Sequence, residues 1–291
     1  YAGSCLSQLD YNGNGGMLQA RLLGKKVTSK QLALGLNEMP ADFINAYLLG
    51  NQRITVLDPG PAIDEHIDAI NAAIRDLGGE LEQIVVTHTH PDHSPAAAIL
   101  AEQHGVPLLG RAIANDGYQD TSFQPHIELQ HDQAIDVEGE TLRAIYTPGH
   151  VDNHFCFLHE ATGLMFTGDH IMQGSTVVII PPAGDMADYI ASLETMLGYP
   201  LRALAPGHGS VIEDAGAEIR GLIAHRLGRE SKVRKALQQH GAGDLEALVK
   251  VAYDDVPVDI HSIAQLSLWA HLLKLEKQGE AREQDGIWHP R

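Results

Sequence analysis

The sequence predicts an α/β layered domain followed by a small, mostly helical domain that closes on a hairpin. Three observations lead there. Short apolar runs alternate with helical segments over residues 17–219, after a lead-in at residues 1–16. Several of those apolar runs end on a Gly or Pro beside a His or Asp, so strand tips present metal-ligand side chains. From residue 220 onward the pattern changes to closely spaced helices and a terminal turn at Asp285-Gly286.

Taken in order, residues 1–16, with Asn12-Gly13-Asn14-Gly15-Gly16, read as irregular. Ile54-Thr55-Val56-Leu57 reads as a strand leading into Asp58-Pro59-Gly60-Pro61. A helix follows from Ile63 to Leu77; Ile63, Ile67, Ile70, Ile74 and Leu77 recur at helical spacing and Gly78-Gly79 stops it. Ile84-Val85-Val86 is a short buried strand. Ser94 is a good N-cap and Pro95 suits the first helical position before Ala96-Ala97-Ala98-Ile99-Leu100. Strand-like runs recur at Val106–Leu109, Leu142–Tyr146, His154–Leu158, Leu164–Phe166 and Ala203–Ala205. The last domain, residues 220–291, holds most of a helix from about Ile219 to Gln239. A second helix, Leu245–Val249, is capped by Asp244. A third runs from about Ser262 to Gln278, with Leu266, Trp269, Leu272, Leu273 and Leu275 on an apolar stripe. Gly279 ends it, and Glu280–His289 offers a wing turning at Asp285-Gly286.

The chain of 291 residues has room for one large and one small domain, and its 44% hydrophobic content is that of a globular protein. No apolar run is long enough to span a bilayer. Cys5 and Cys156 do not make a disulfide framework, and Cys156 lies in an apolar run. A cytoplasmic location is expected, with any segment upstream of Tyr1 out of view. Charge is divided unevenly. Residues 220–291 carry 11 Lys+Arg against 10 Asp+Glu, net +1, whereas residues 1–219 carry 9 against 28, net −19. An acidic catalytic domain opposes tight nonspecific binding of polyanions. The cations Arg220, Arg226, Arg229, Lys232, Arg234 and Lys235 form either a solvated helix face or a phosphate-contacting strip, with Arg226 and Arg229 as possible substrate contacts.

The most informative run is Thr87-His88-Thr89-His90-Pro91-Asp92-His93. It places four ligand-type side chains within six residues on a loop leaving a strand tip. His88 and His90 are two apart, so an extended backbone aims both to one side, while Asp92 and His93 lie in the turn beyond and point elsewhere. One loop can therefore serve two adjacent ions. Downstream, Thr147-Pro148-Gly149-His150, Thr167-Gly168-Asp169 and Pro206-Gly207-His208-Gly209 each follow a strand-like run. Asp58 reads as a carboxylate orienting a ligand, or as a turn former. His154, four after His150, reads as a hydrogen-bonding neighbour of the ligands or a packed His. His170, after Asp169, reads as a pocket-facing proton donor or a loop residue, and Tyr189 as core or cleft lining.

These motifs, in this order, resemble the metallo-β-lactamase superfamily across roughly residues 40–212. The resemblance implies two facing sheets with helices outside, an αββα sandwich with metals at one edge. It implies that His88, His90 and His150 hold one divalent ion, that Asp92, His93 and His208 hold a second, and that Asp169 bridges them. Zinc is expected first, with manganese or iron(II) as alternatives. Class B1 and B2 lactamases use a late Cys ligand that is missing here, class B3 enzymes lack the Asp169 equivalent, and flavodiiron proteins carry Glu where this chain has His90. What remains resembles the binuclear hydrolases: glyoxalase II, ribonuclease Z-like enzymes and the β-lactamase-like endoribonucleases. The segments Ala224–Glu230, His271–Glu276 and Gly184–Leu193, with a winged-helix-like end, point to the last group. Ser94-Pro95 replaces the usual Gly-Gly, and Val151 the usual Thr. Both changes fall in the pocket wall and bear on substrate choice.

The expected chemistry is hydrolysis by a hydroxide shared between two ions, with Asp92 as the catalytic residue that orients it and takes its proton. The substrate is expected to be single-stranded RNA or a small molecule: an ester, thioester, lactone or β-lactam. Two readings of another class are a mononuclear iron persulfide dioxygenase and a non-catalytic nucleic-acid-binding module. No membrane partner is expected.

Overall fold

The computed structural model describes the backbone of Cys5–Gly13, Gly16–Lys26 and residues 43–291, and side chains over residues 44–291. The chain divides into two compact units. The first comprises Tyr1–Thr147, Asn153–Ser175 and Tyr199–Gly216. It opens with β1 (Cys5–Gly13), β2 (Gly16–Lys26), β3 (Phe43–Leu49) and β4 (Arg53–Leu57). Then come α1 (Asp64–Leu77), β5 (Glu80–Val85), α2 (Pro95–His104), β6 (Leu108–Gly110) and β7 (Ile127–Glu128). These strands form one seven-stranded sheet in sequence order. β8 (Gln133–Val137), β9 (Glu140–Tyr146), β10 (Phe155–His159), β11 (Leu164–Gly168) and β12 (Ala203–Pro206) form a five-stranded sheet in the order β12-β11-β10-β9-β8.

The period-2 alternation of β3 shows how the layers arise. Tyr47 and Leu49 point to one face and join Leu57, Val85 and Leu109 against Leu142, Ala144, Phe155, Phe157 and Phe166 of the second sheet. Ala46 and Leu48 point to the other face and join Ile54, Val56 and Ile84 against Ile67, Ile70 and Ile74 of α1 and Ala96, Ala97 and Leu100 of α2. The unit is therefore two facing sheets with α1 and α2 covering the outer face of the first. β4, β5 and β6 run parallel, so α1 and α2 are their crossovers and the loop at each strand's C-terminal end lies along one edge. That edge receives Asp58 and residues 86–94. Gly78 stops α1 at φ 73°, and Pro95 opens α2. Ser94 flanks α2 without capping it; its hydroxyl donates to Asp120 Oδ2 at 2.7 Å instead.

The expected irregular lead-in is corrected. Residues 5–13 are strand, paired antiparallel with β2 up to Gly13↔Gly16, while residues 1–4 and 14–15 lie outside the described residues. An Asn-Gly step between two strand-forming runs is a hairpin signal, and reading the Gly-rich run as a loose segment overlooked its flanks.

The second unit comprises Pro148–Asp152, Thr176–Gly198 and Ala217–Arg291. It contains α3 (Met186–Met196) and nearly all of α4 (Ala215–His240). After these come α5 (Leu245–Ala252), a 3-10 turn (Val258–Ile260), α6 (His261–Lys277), β13 (Ala281–Gln284) and β14 (Ile287–Pro290). Val233, Leu237, Leu248, Val249, Leu268, Leu272, Leu275 and Trp288 form its core. The wing turns at Asp285 (φ 53°) and Gly286 (φ 81°), both in the left-handed region that a two-residue type I′ hairpin demands. Asp244 caps α5 by accepting from Ala247 N–H at 2.8 Å. The expected boundary at 219/220 falls inside α4, and two earlier segments join this unit. A pattern read along the chain does not register such packing; Asp185, the N-cap of α3, pairs with Lys277 at the end of α6.

Candidate metal centre

Asp92, His93, Asp169 and His208 each offer a ligand atom, all within 4.8 Å of one another. His93 Nε2 lies 3.2 Å from Asp169 Oδ1 and 3.8 Å from Asp92 Oδ2. His208 Nε2 lies 3.2 Å from Asp92 Oδ2 and 3.4 Å from Asp169 Oδ1. His88, His90 and His150 make up the other candidate group, with His88 Nε2 and His90 Nδ1 2.9 Å apart.

Four of the seven candidate ligands, His88, His93, His150 and His208, are held from behind. Asp58 directly follows β4, adopts φ 49° and is 1% exposed. Its Oδ1 accepts from Thr87 N–H and its Oδ2 from the Thr87 hydroxyl, both at 2.7 Å, and Oδ2 lies 3.0 Å from His93 Nδ1. A carboxylate there keeps the proton on Nδ1 and turns Nε2 toward the ligand cluster. Thr87 Oγ1 also meets His88 Nδ1 at 3.0 Å, so one hydroxyl links Asp58 to a second candidate ligand. His150 Nδ1 donates to the Val178 carbonyl at 2.9 Å, which likewise leaves Nε2 as the ligand atom.

His208 is placed by residues the sequence reading did not single out. Asn45 Nδ2 donates to the carbonyls of Pro206 (2.9 Å) and Gly209 (2.8 Å), and the Tyr47 hydroxyl donates to Pro206 at 2.7 Å. Burial pushes the Tyr47 phenol well above its ordinary pKa, so it stays a donor. The only sequence signal was alternation in β3, which puts both residues on the face away from α1 and α2. Gly207 has no room for a side chain: a Cβ would sit 2.8 Å from His93 Cε1 and 2.9 Å from Asp169 Oδ1. Asn153 and Gln119 also went unnoticed. Asn153 Nδ2 donates to Thr89 Oγ1, which donates to Gln119 Oε1, so the ligand loop is tied to the 116–120 segment.

The electrostatics fit a cation. Burial would raise the Asp92 carboxyl, but His93 and His208 hold it down at about 2. Burial would lower His93 and His208, yet the carboxylates of Asp169 and Asp92 raise His93 well above its ordinary value and His208 to about 9. His93 Nε2 is fully buried and makes no hydrogen bond. A buried donor or acceptor in that condition is costly unless something coordinates it. Two imidazoles and two carboxylates around such an atom suit a divalent transition metal.

The other expected site residues fall in different surroundings, His154 beside the ligands and the arginines away from them. His154 is fully buried, with Nδ1 3.0 Å from the Thr147 hydroxyl and its ring centroid 5.1 Å from that of His88. His170 is also fully buried, its ring 5.6 Å from His154, so it is not presented to substrate; the β11 exit turns it into the interior. Arg226 and Arg229 do not form a phosphate strip. Arg226 is 3% exposed and donates to the Val177 carbonyl. Arg229 pairs with Asp255 at 2.8 Å and stacks on Tyr253. Lys232 pairs with Asp254 and Asp255, and Arg234 with Glu230 and Glu280. Asp254, Asp255 and Glu280, later in the chain, engage Arg229, Lys232 and Arg234, which a count over residues 220–235 does not reveal.

Comparison with known proteins gives the family. The model of the metallo-beta-lactamase superfamily matches residues 39–208, and that of the beta-lactamase associated winged helix domain matches residues 245–288. The chain belongs to the metallo-beta-lactamase superfamily and is a hydrolase of that class with the associated winged helix. A beta-lactamase-like protein 2 homolog of Drosophila melanogaster is 32% identical over 250 residues, 82% of this chain and 84% of that protein. An atrochrysone carboxyl ACP thioesterase of Aspergillus terreus is 32% identical over 201 residues, 67% of this chain and 58% of that protein's length. A beta-lactamase domain protein from Burkholderia ambifaria shares the fold at TM-score 0.74 and 21% identity, over 98% of this chain and 97% of that one. Among the described residues, no helix is long and apolar enough to cross a membrane.

Proposed function

We propose that this chain is a binuclear metallohydrolase of small acyl substrates, thioesters and esters first. The observation that carries the reading is the pair of ligand groups, His88/His90/His150 and Asp92/His93/Asp169/His208. His88, His90 and His150 would hold one ion, Asp92, His93 and His208 the other, and Asp169 both. When bound, two divalent ions, zinc first and manganese or iron(II) as alternatives, ionise water near neutral pH and polarise a scissile carbonyl. Asp58 orients His93, and Asp92 is the catalytic residue. Its side chain is 31% exposed, more than that of His93, Asp169 or His208, so it can meet substrate and accept a proton from water.

The substrate class rests on charge. Arg226, Arg229, Lys232 and Arg234 are engaged inside the second unit, and residues 1–219 carry net −19, so little is left to gather a polyanion. The resemblance to a thioesterase points the same way. The test is a substrate panel on the full chain loaded with zinc: an S-acyl-N-acetylcysteamine, a p-nitrophenyl ester, a lactone and a labelled single-stranded RNA. Thioester and ester turnover should vanish on chelation and return with zinc, with the RNA left intact. Cleavage of RNA as fast as the acyl substrates would contradict the substrate class. Turnover indifferent to chelation would contradict the metal reading. Oxygen uptake with a single bound iron would replace it with the dioxygenase reading.

A further inference from the structure

Arg226 spends a buried guanidinium on two contacts that converge on His150. Its Nη2 donates to the Val177 carbonyl at 2.5 Å, and the next carbonyl, Val178, accepts from His150 Nδ1 at 2.9 Å. The guanidinium carbon also lies 5.1 Å from the ring centroid of Tyr189, a residue with no exposed surface. Tyr189 backs the turn before His150. Gly149 sits at φ 136°, and a Cβ there would lie 2.3 Å from Tyr189 Cα. The same turn is fixed to α3 by Asp185 N–H donating to the Gly149 carbonyl (2.9 Å) and by the Ser192 hydroxyl donating to the Pro148 carbonyl (2.7 Å).

We infer that Arg226 is a positioning residue for His150: it holds the 177–178 peptide, next in the chain to the 178–179 peptide whose carbonyl sets the His150 tautomer, and it clamps Tyr189 under the turn that carries the imidazole. The physical logic is that of any ligand imidazole whose far nitrogen is held by a carbonyl. A carbonyl only accepts, so Nδ1 must carry the proton and Nε2 keeps its lone pair. Rotating the 177–178 segment would release that constraint. A buried charge that merely filled space would be a poor choice there, because desolvation makes it costly; a planar fork that bonds a carbonyl edge-on while stacking on an aromatic face is what Arg provides. The inference rests on the proposed metal reading for its consequence, but not for its geometry.

The test compares the full chain with Arg226→Gln, Arg226→Lys and Arg229→Gln. The histidine side-chain ¹⁵N spectrum of the metal-free protein should show His150 in one tautomer, protonated on Nδ1. In Arg226→Gln that tautomer should become mixed, and zinc affinity at the His88/His90/His150 site should fall about 10–100-fold, as loss of an outer-shell partner does. Arg226→Lys retains one donor to Val177 and should recover the tautomer at least in part; it is also the variant to read if Gln does not fold. Arg229→Gln, three residues on, should lower thermal stability while leaving His150 unchanged. An unaltered His150 spectrum and zinc affinity in a folded Arg226→Gln would overturn the inference, as would the same disturbance from Arg229→Gln. If the parent bound no zinc, the proposed function would fail, and the metal-free tautomer would still decide the role of Arg226.

Discussion

One carboxylate shows the most about how this chain builds a site. Asp58 stands at the tip of β4 in a left-handed conformation that a non-Gly residue adopts only with support. Its support is its own chemistry: two bonds from Thr87 and one contact to His93. Asp58→Ala should therefore weaken zinc binding by about 10–100-fold while leaving two ions bound at saturation. Asp169→Ala should remove one ion altogether and abolish turnover, because the proposed bridge serves both. Chelator competition with elemental analysis separates the two outcomes; equal, small effects would contradict the assigned roles. The raised pKa values of His93 and His208 add a second expectation. The neighbouring carboxylates favour the protonated form of both imidazoles in the metal-free protein, raising His208 to about 9 and His93 well above its ordinary value, so zinc binding should release protons. Calorimetric titration in two buffers of different ionisation enthalpy should report proton release, with affinity rising as pH climbs toward about 9. A buffer-independent heat would contradict it.

Strand ends and loops carry the candidate ligands, and helix side chains join in only at the His150 turn, through Tyr189 and Ser192 of α3 and Arg226 of α4. Asn45→Ala would strip the bonds to Pro206 and Gly209, leave two loop carbonyls without that partner and free the His208 loop. A loss of about 1–3 kcal/mol is expected, together with weaker zinc binding; unchanged melting and unchanged zinc affinity would show that the loop holds itself. In α4 the buried Glu230 is depressed to about 2: burial would raise it, but His271 and Lys274 outweigh that. A depressed carboxylate stabilises the fold above its usual value of 4.5, and the contribution is lost as pH falls from there toward 2. Glu230→Gln should flatten that acid limb of the stability profile. The ligands and strand ends were legible in the sequence because motif, Gly/Pro punctuation and short apolar runs are local. So were α1, α5, α6 and the wing, whose caps and stripes are local too. Asn45, Tyr47, Gln119 and Asn153 were not, since each acts on a loop far along the chain and nothing near it announces the partner. Arg226 and Arg229 misled for the same reason: their carbonyl and carboxylate partners are supplied from segments 23 to 49 residues away.

At the scale of the whole chain, charge sorts the candidate substrates. With residues 1–219 at net −19 and four of the six cations of residues 220–235 internally paired or buried, binding of single-stranded RNA should be weak and steeply lost with salt. Neutralising the exposed Arg220 and Lys235 should leave turnover of a small thioester within about twofold, since a small substrate needs no such strip. A large drop would reopen the polyanion reading. Both substrate arguments presuppose the metal centre, and the centre has a direct test. Elemental analysis of metal-replete protein, taken alongside thioester turnover during stepwise metal loading, should give about two divalent ions per chain, with full activity only at the second. Full activity at one ion per chain would contradict the binuclear centre on which the account rests.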